Sequence, residues 1–286
     1  MKIELIKRTL TGIAFVAILV LGIVLGPQYY AVLFAVITGL TTWEFCTLIN
    51  NNRQCQINRV ITTVASVYLF AAVGAFNANI TGSEIFIPYL LTISYLLISE
   101  LYFKDNNTLM NWAFTMMAQL YIALPFASLN ALAFFGNPFA EKSVTYYPTI
   151  VLSIFIFLWS NDTGAYCFGS MLGRHKLFPR ISPKKSWEGV IGGLITALAA
   201  SQVVAVYSVV YPGDRLRDHL TFAGLALVVV AFGTWGDLVE SLLKRRLGVK
   251  DSGNMLPGHG GMLDRFDSAL LAIPAAVVYM CVLMMN

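Results

Sequence analysis

The sequence predicts an all-α, polytopic integral membrane protein with about nine transmembrane helices, and three observations carry that prediction. The first is composition. The 286 residues are 57% hydrophobic and only 12% charged, with a mean hydropathy of +0.70, whereas charged residues make up about a quarter of a soluble domain. The second is spacing. Apolar stretches near the roughly 20 residues that cross a hydrocarbon core recur at 9–26, 30–49, 60–76, 85–103, 109–135, 148–168, 188–211, 219–243 and 268–284. The third is charge placement. With the N-terminus inside, 16 of the 19 Lys and Arg residues fall in inside segments, leaving only Lys142, Arg215 and Arg217 outside. Cytoplasmic loops carry the excess of basic residues, so the N-terminus is expected in the cytoplasm and the C-terminus outside. Only an odd number of crossings permits that split.

Taken in order, the first apolar segment ends at Gly26-Pro27-Gln28 with no small-residue cleavage site, and reads as a retained helix rather than a signal peptide. Helices two to five are joined by short loops with few charges, and only Glu44 and Glu100, near helix ends, stand out. Residues 1–147 therefore read as an N-terminal transmembrane scaffold. From 148 the texture changes. Residues 148–286 hold the polar groups that are costly in a bilayer, together with both long basic loops, 169–187 and 244–267, and read as a C-terminal catalytic transmembrane region with cytoplasmic loops. Glycines at GxxxG spacing (Gly22/Gly26, Gly169/Gly173, Gly189/Gly193) read as ordinary close helix packing. Cys46, Cys55, Cys167 and Cys281 show no CxxC spacing, so neither a disulfide framework nor a zinc site is implied. The net charge of +4 is almost wholly a cytoplasmic-face property. It suits anionic headgroups or nucleotide phosphates, and no nucleic acid is expected, because no basic face interleaved with aromatics is present.

Two polar constellations carry the chemistry. In the first, SLLKRRLGVKDSGNMLPGHGGMLDRFD runs from Ser241 to Asp267 between apolar helices. Glycines let backbone N–H groups approach phosphate oxygens, Lys and Arg neutralise them, and hard carboxylates hold Mg²⁺. Asp237 lies just upstream in an apolar run. Ser241 and Lys244 follow it at i+4 and i+7 and share its helical face. An ionised carboxylate near the bilayer centre costs on the order of 2.5–3.5 kcal/mol, so Asp237 is expected to face a partner or a wet cavity, although a structural ion pair at a helix end would also satisfy it. Asp264 and Asp267 are three residues apart where the last helix begins, where acids also serve as caps. Together with Asp237 they offer the oxygen-rich set that Mg²⁺ prefers. His259, between glycines, reads as an acid/base, a phosphate donor or a plain loop residue, and His175 and His219 are assigned no role.

In the second constellation, Ser160-Asn161-Asp162-Thr163-Gly164 interrupts the sixth helix and leads to Ile181-Ser182-Pro183-Lys184-Lys185-Ser186-Trp187-Glu188-Gly189. Asp162 is an intramembrane acid and so a site candidate. The basic loop reads either as an interfacial segment that sets topology, with Trp187 as anchor, or as a phosphate-binding turn at a helix start with Ser186 and Glu188 available for capping. No GxxxxGK[ST] is present, so a nucleotide would not be held by a Walker loop.

The Ser241–Asp267 stretch resembles the signature of the phosphatidate cytidylyltransferase family, also called CDP-diacylglycerol synthases. Ser241, Lys244, Arg245, Lys250, Asp251, Gly253, Leu256, Pro257, His259, Gly260, Gly261, Asp264, Arg265 and Asp267 match it in kind and spacing. Asn161 to Tyr166 and Ser182 to Gly189 are also similar to family segments. The first half resembles the family only in being hydrophobic and multi-spanning. The resemblance implies a Mg²⁺-dependent nucleotidyltransferase of phospholipid biosynthesis, joining CTP and phosphatidic acid into CDP-diacylglycerol and pyrophosphate at the cytoplasmic face of a bacterial inner membrane. Read together with the residue pattern, it puts Asp237, Asp264 and Asp267 on metal as an expectation, Asp237 from the residue pattern alone. It places Lys244, Arg245, Lys250 and Arg265 on phosphates, with Ser241, His259, Gly260, Gly261, Asp162, Ser182, Lys184 and Lys185 completing the substrate pocket. A homodimer stays open as a further partnership. Two other classes share the membrane setting. A CTP-dependent polyprenol or phytol kinase would lack the full signature, and a lipid or ion transporter would spread its acids across both halves and the membrane depth.

Overall fold

The computed structural model describes residues 2–51, 55–102, 107–136, 144–208, 210–211, 213–253, 255 and 260–285. Ten helices follow in order: α1 Lys2–Val24, α2 Pro27–Asn51, α3 Arg59–Asn77, α4 Ile87–Ser99, α5 Thr108–Ala118, α6 Leu124–Ala133, α7 Pro148–Leu172, α8 Trp187–Tyr207, α9 Arg215–Arg246 and α10 Leu263–Met285. Short strands β1 Phe134–Gly136 and β2 Val144–Tyr146 pair before α7, and β3 Lys176–Phe178 and β4 Ser182–Ser186 pair before α8. Among the described residues, eight helical stretches are long and apolar enough to cross a membrane, and Thr9–Val24 adds a shorter apolar one. The chain is an all-α polytopic integral membrane protein, with the nine apolar segments its sequence predicts.

Local chemistry explains the differences in detail. α5 and α6 make one 26-residue span, Thr108–Ala133, joined by a π turn at Gln119–Ala123. The inserted residue is stabilised by the Gln119 amide, which donates to Thr62 O and Ser66 Oγ at 3.0 Å. Gly26, at φ +135, separates α1 from α2 in a conformation only glycine adopts readily, and Pro27 opens α2. The Ser160–Gly164 stretch does not interrupt its helix. α7 runs through it, because the Thr163 hydroxyl bonds back to Trp159 O at 2.8 Å and needs no break in the ladder. α10 begins at Leu263, five residues before the apolar run, since polar side chains propagate a helix once its first N–H groups find acceptors.

The chain divides into two compact units. The first comprises 1–148 with 247–266, and the second 149–246 with 267–286, so the boundary falls within α10, between Phe266 and Asp267. The first unit is held by an aromatic core. Tyr30 and Phe34 lie 5.0 Å apart, Phe34 and Phe126 6.4 Å, and Phe126 meets Phe266 edge-on at 5.3 Å. Each such pair adds about 0.5–1.5 kcal/mol beyond burial itself. The second unit is held by close backbone approach. A Cβ on Gly189 would meet Ala165 O at 3.0 Å, and one on Gly193 would meet Asn161 O at 2.7 Å, as expected where small residues let membrane helices pack without a hydrophobic drive.

Candidate active site

Within the second unit, α7, α8, α9 and the β3–β4 hairpin enclose a cavity of about 390 Å³. α7 supplies two adjacent rows of one face, Asn161-Ala165-Gly169 and Asp162-Tyr166-Ser170. β4 supplies Lys184, Lys185 and Ser186, the start of α8 supplies Gly189 and Val190, and α9 supplies Thr234. The four-residue spacing of the α7 rows is the helical repeat, so the polar cluster near Asn161 faces the cavity because of its register and not because the helix opens.

Ser186 caps α8. Its backbone is extended, at φ −129 and ψ 156, and its hydroxyl accepts from Gly189 N at 3.2 Å. Glu188 does not reach back as the second half of a capping box. Its carboxylate accepts from Arg174 N and His175 N and meets His175 Nδ1 at 2.6 Å, tying the end of α7 to the start of α8. His175, assigned nothing from sequence, therefore has this partner, and His219 meets Gln202 at 2.9 Å. A helix N-terminus beside two lysines is a favourable environment for a phosphate.

Asp237 on α9 is held from both sides. Lys185 Nζ lies 2.5 Å from one carboxylate oxygen, and Ser241 Oγ donates to the other at 3.2 Å. Asp267, the first residue of α10 in this unit, feels the charges of Asp237, Asp162 and Lys185. Four residues scattered over more than 100 positions of sequence thus share one neighbourhood. Lys244 pairs with Glu240 at 2.6 Å. Arg245 is exposed, and Ser182 starts β4 opposite Phe178.

Among the described residues, no three His, Cys, Asp or Glu side chains are gathered closely enough to cage a metal by themselves. Mg²⁺ does not require such a cage, because it takes one or two carboxylates and completes its octahedron with water and substrate phosphates. Asp237 and Asp267 suit it on donor chemistry. Both present hard oxygens, and their like charges repel where a cation would relieve them.

The first unit holds the remaining signature residues described. Asp264 Oδ2 accepts from Ser252 N at 3.0 Å and from Gly261 N at 2.8 Å, closing the loop on itself. Gly260 sits at φ +84, and a Cβ there would meet that same oxygen at 2.6 Å, so glycine is required twice over. Lys250 and Arg265 are exposed. His259 lies outside the described residues. Two further carboxylates have polar partners: Glu240, which the sequence did not mark, and Glu44, which stood out only as a charge near a helix end. Glu240 is fully buried and pairs with Lys244. Glu44, read as scaffold, accepts hydrogen bonds from residues at both ends of the loop. A charged residue inside a 25-residue apolar helix was the available signal, and its position toward the helix end concealed it.

The chain matches the cytidylyltransferase family over residues 6–283. It is 33% identical over 270 residues to a phosphatidate cytidylyltransferase of Staphylococcus haemolyticus, covering 93% of this chain and 95% of that protein. It is 34% identical over 269 residues to the phosphatidate cytidylyltransferase of Staphylococcus aureus, with the same coverages. It is 32% identical over 286 residues to that of Haemophilus influenzae, covering 94% of this chain and 96% of the relative. The likeness runs through the scaffold helices as well as the signature, and it agrees with a cavity between apolar helices that carries Lys184, Lys185 and Asp162 on its wall: the chain belongs to the cytidylyltransferase family and is a membrane-embedded nucleotidyltransferase.

Proposed function

We propose that this chain transfers the cytidylyl group of CTP to phosphatidic acid, giving CDP-diacylglycerol and pyrophosphate, in a Mg²⁺-dependent reaction at the cytoplasmic face of a bacterial inner membrane. The observation that carries the reading is the near-full-length similarity to proteins named for this activity. The second unit's cavity supports it with a place for the chemistry. A phosphate oxygen of the lipid attacks the α-phosphorus of CTP, the bond to the bridging oxygen breaks, and pyrophosphate leaves. Such a transfer depends on positioning and charge neutralisation more than on a covalent protein nucleophile.

In this reading, Lys184, Lys185 and the N-terminus of α8 receive phosphate oxygens, and Asp162 and Asn161 form the facing wall. Asp237 keeps the Lys185 ammonium directed inward until substrate competes for it. Asp237 and Asp267 are the proposed metal carboxylates. Asp264, one turn from Asp267 on α10, is retained with them on the sequence pattern. Bound Mg²⁺ would neutralise charge on the phosphate oxygens and on the leaving pyrophosphate. Arg245, Lys250 and Arg265 are the proposed further phosphate contacts.

The test is purified protein with CTP labelled in the cytidine and, separately, in the γ-phosphate, with and without phosphatidic acid and Mg²⁺. Cytidine label in lipid with release of pyrophosphate is expected only when both are present. Transfer of γ-label to a lipid alcohol would replace the reading with a kinase. For orientation, single cysteines near 180 and 250 in a cysteine-free background should react with an impermeant thiol reagent only after the inner face is opened, and labelling in intact cells would reverse it.

A further inference from the structure

Glu44 lies on α2, in the chain's first apolar half, yet its carboxylate is buried and committed to a segment more than 200 residues away. One oxygen, Oε1, accepts from Ser252 Oγ and from Leu263 N at 3.1 Å. The other, Oε2, accepts from Met262 N at 2.8 Å. Ser252 opens the glycine-rich loop and Met262 and Leu263 close it, so one side chain holds both ends. The surrounding sequence leaves space for that carboxylate and no more. A Cβ on Gly253 would come within 2.8 Å of Oε2, and a Cβ on Gly261 would overlap Oε1. Asp264 fastens the same two ends through Ser252 N and Gly261 N, which makes a double clamp of two carboxylates on five donors.

An ordinary helix cap would account for Met262 N and Leu263 N, since acids are favourable at helix N-termini. It does not account for the Ser252 hydroxyl, nor for glycines at both points where the loop passes Glu44. We propose that Glu44 is a positioning residue: it fixes the two described ends of this loop, Ser252–Gly253 and Gly261–Leu263, and through them the placement of the neighbouring Lys250 and Arg265. The inference rests on the reading of those two residues as phosphate contacts. The neutral amide of a glutamine has one acceptor oxygen and presents N–H groups where a donor already points, so Glu44→Gln keeps the shape and breaks the clamp.

The experiment compares wild type, Glu44→Gln, Ser252→Ala and the double variant in three measurements: amide exchange of the 250–263 segment, Kd for CTP, and steady-state kinetics per folded molecule. Glu44→Gln should speed exchange in that segment and lower kcat/KM for CTP about ten- to a hundredfold, as small misplacements do, with KM for phosphatidic acid unchanged. Ser252→Ala should act in the same direction, about three- to tenfold, and the double variant should be no worse than Glu44→Gln, as for residues acting as a unit. Faster exchange with normal kcat/KM for CTP would overturn the inference, as would unchanged exchange. Should Glu44→Gln fail to insert, Ser252→Ala decides by the same criteria. A wild type that makes no CDP-lipid would defeat the proposed function, while the exchange and CTP-binding measurements would still judge the clamp.

Discussion

The two polar regions satisfy their carboxylates in opposite ways. In the first unit, Glu44 and Asp264 accept from backbone N–H groups and a serine hydroxyl. In the second, Asp237 meets the ammonium of Lys185 and a serine hydroxyl, and shares its surroundings with Asp162 and Asp267. Backbone donors cannot leave, so a carboxylate bound to them fixes the chain's shape. A lysine on a four-carbon stem can exchange one anion for another, so a carboxylate paired with it remains available to a cation while the lysine turns to a phosphate. Under the proposed function, the difference would separate groups that hold the site from groups that act in it, with Asp264 the residue that tests the division.

The largest expected effect tests the acting groups. Asp237→Asn or Asp267→Asn should lower kcat by several kcal/mol of transition-state stabilisation, about a thousandfold, with little change in melting temperature. The double variant should be far less damaging than the product of the singles. CDP-lipid synthesis at limiting Mg²⁺, measured beside thermal unfolding, checks this, and normal activity in either single variant removes that residue from the site. Asp264→Asn sharpens the comparison: as a loop clamp it should lower stability by about 1–3 kcal/mol, because Ser252 N or Gly261 N loses its acceptor. If instead activity falls about a thousandfold with the melting temperature intact, Asp264 belongs with the acting group.

Lys185→Ala should cost about 1.5–3 kcal/mol in kcat/KM for CTP, roughly ten- to a hundredfold, through loss of a charge-assisted phosphate contact. Lys185→Arg, which keeps the charge in a different shape, should recover part of it; equal loss in both would mean that the lysine serves only Asp237. The smallest effect is expected from Ser186→Ala. It removes the α8 cap and should destabilise by about 1 kcal/mol, with KM for CTP rising only modestly if the helix N-terminus receives a phosphate. Calorimetric unfolding and CTP titration together separate the two contributions.

Sequence alone was sufficient for the membrane class, the nine apolar segments and the Ser241–Asp267 signature. Each depends on neighbours in sequence: a run of about 20 apolar residues is its own reason to be a spanning helix, and a charge inside one is conspicuous without a structure. The same logic marked Asp162 and Asp237, because an intramembrane acid is costly wherever the chain goes next. What surrounds those acids was decided only by tertiary structure. Lys185 and Asp237 are joined across 52 positions, Glu44 and Ser252 across 208, and no local pattern encodes which distant donor a buried carboxylate will meet. The continuity of α7 through Asn161 and Asp162, the role of Glu188 as a tie to His175 rather than a cap, and the start of α10 at Leu263 were likewise set by which hydrogen-bond partners folding placed within about 3 Å. Hydrophobicity is additive along a chain and can be read from it, whereas hydrogen-bond satisfaction is a property of positions in space.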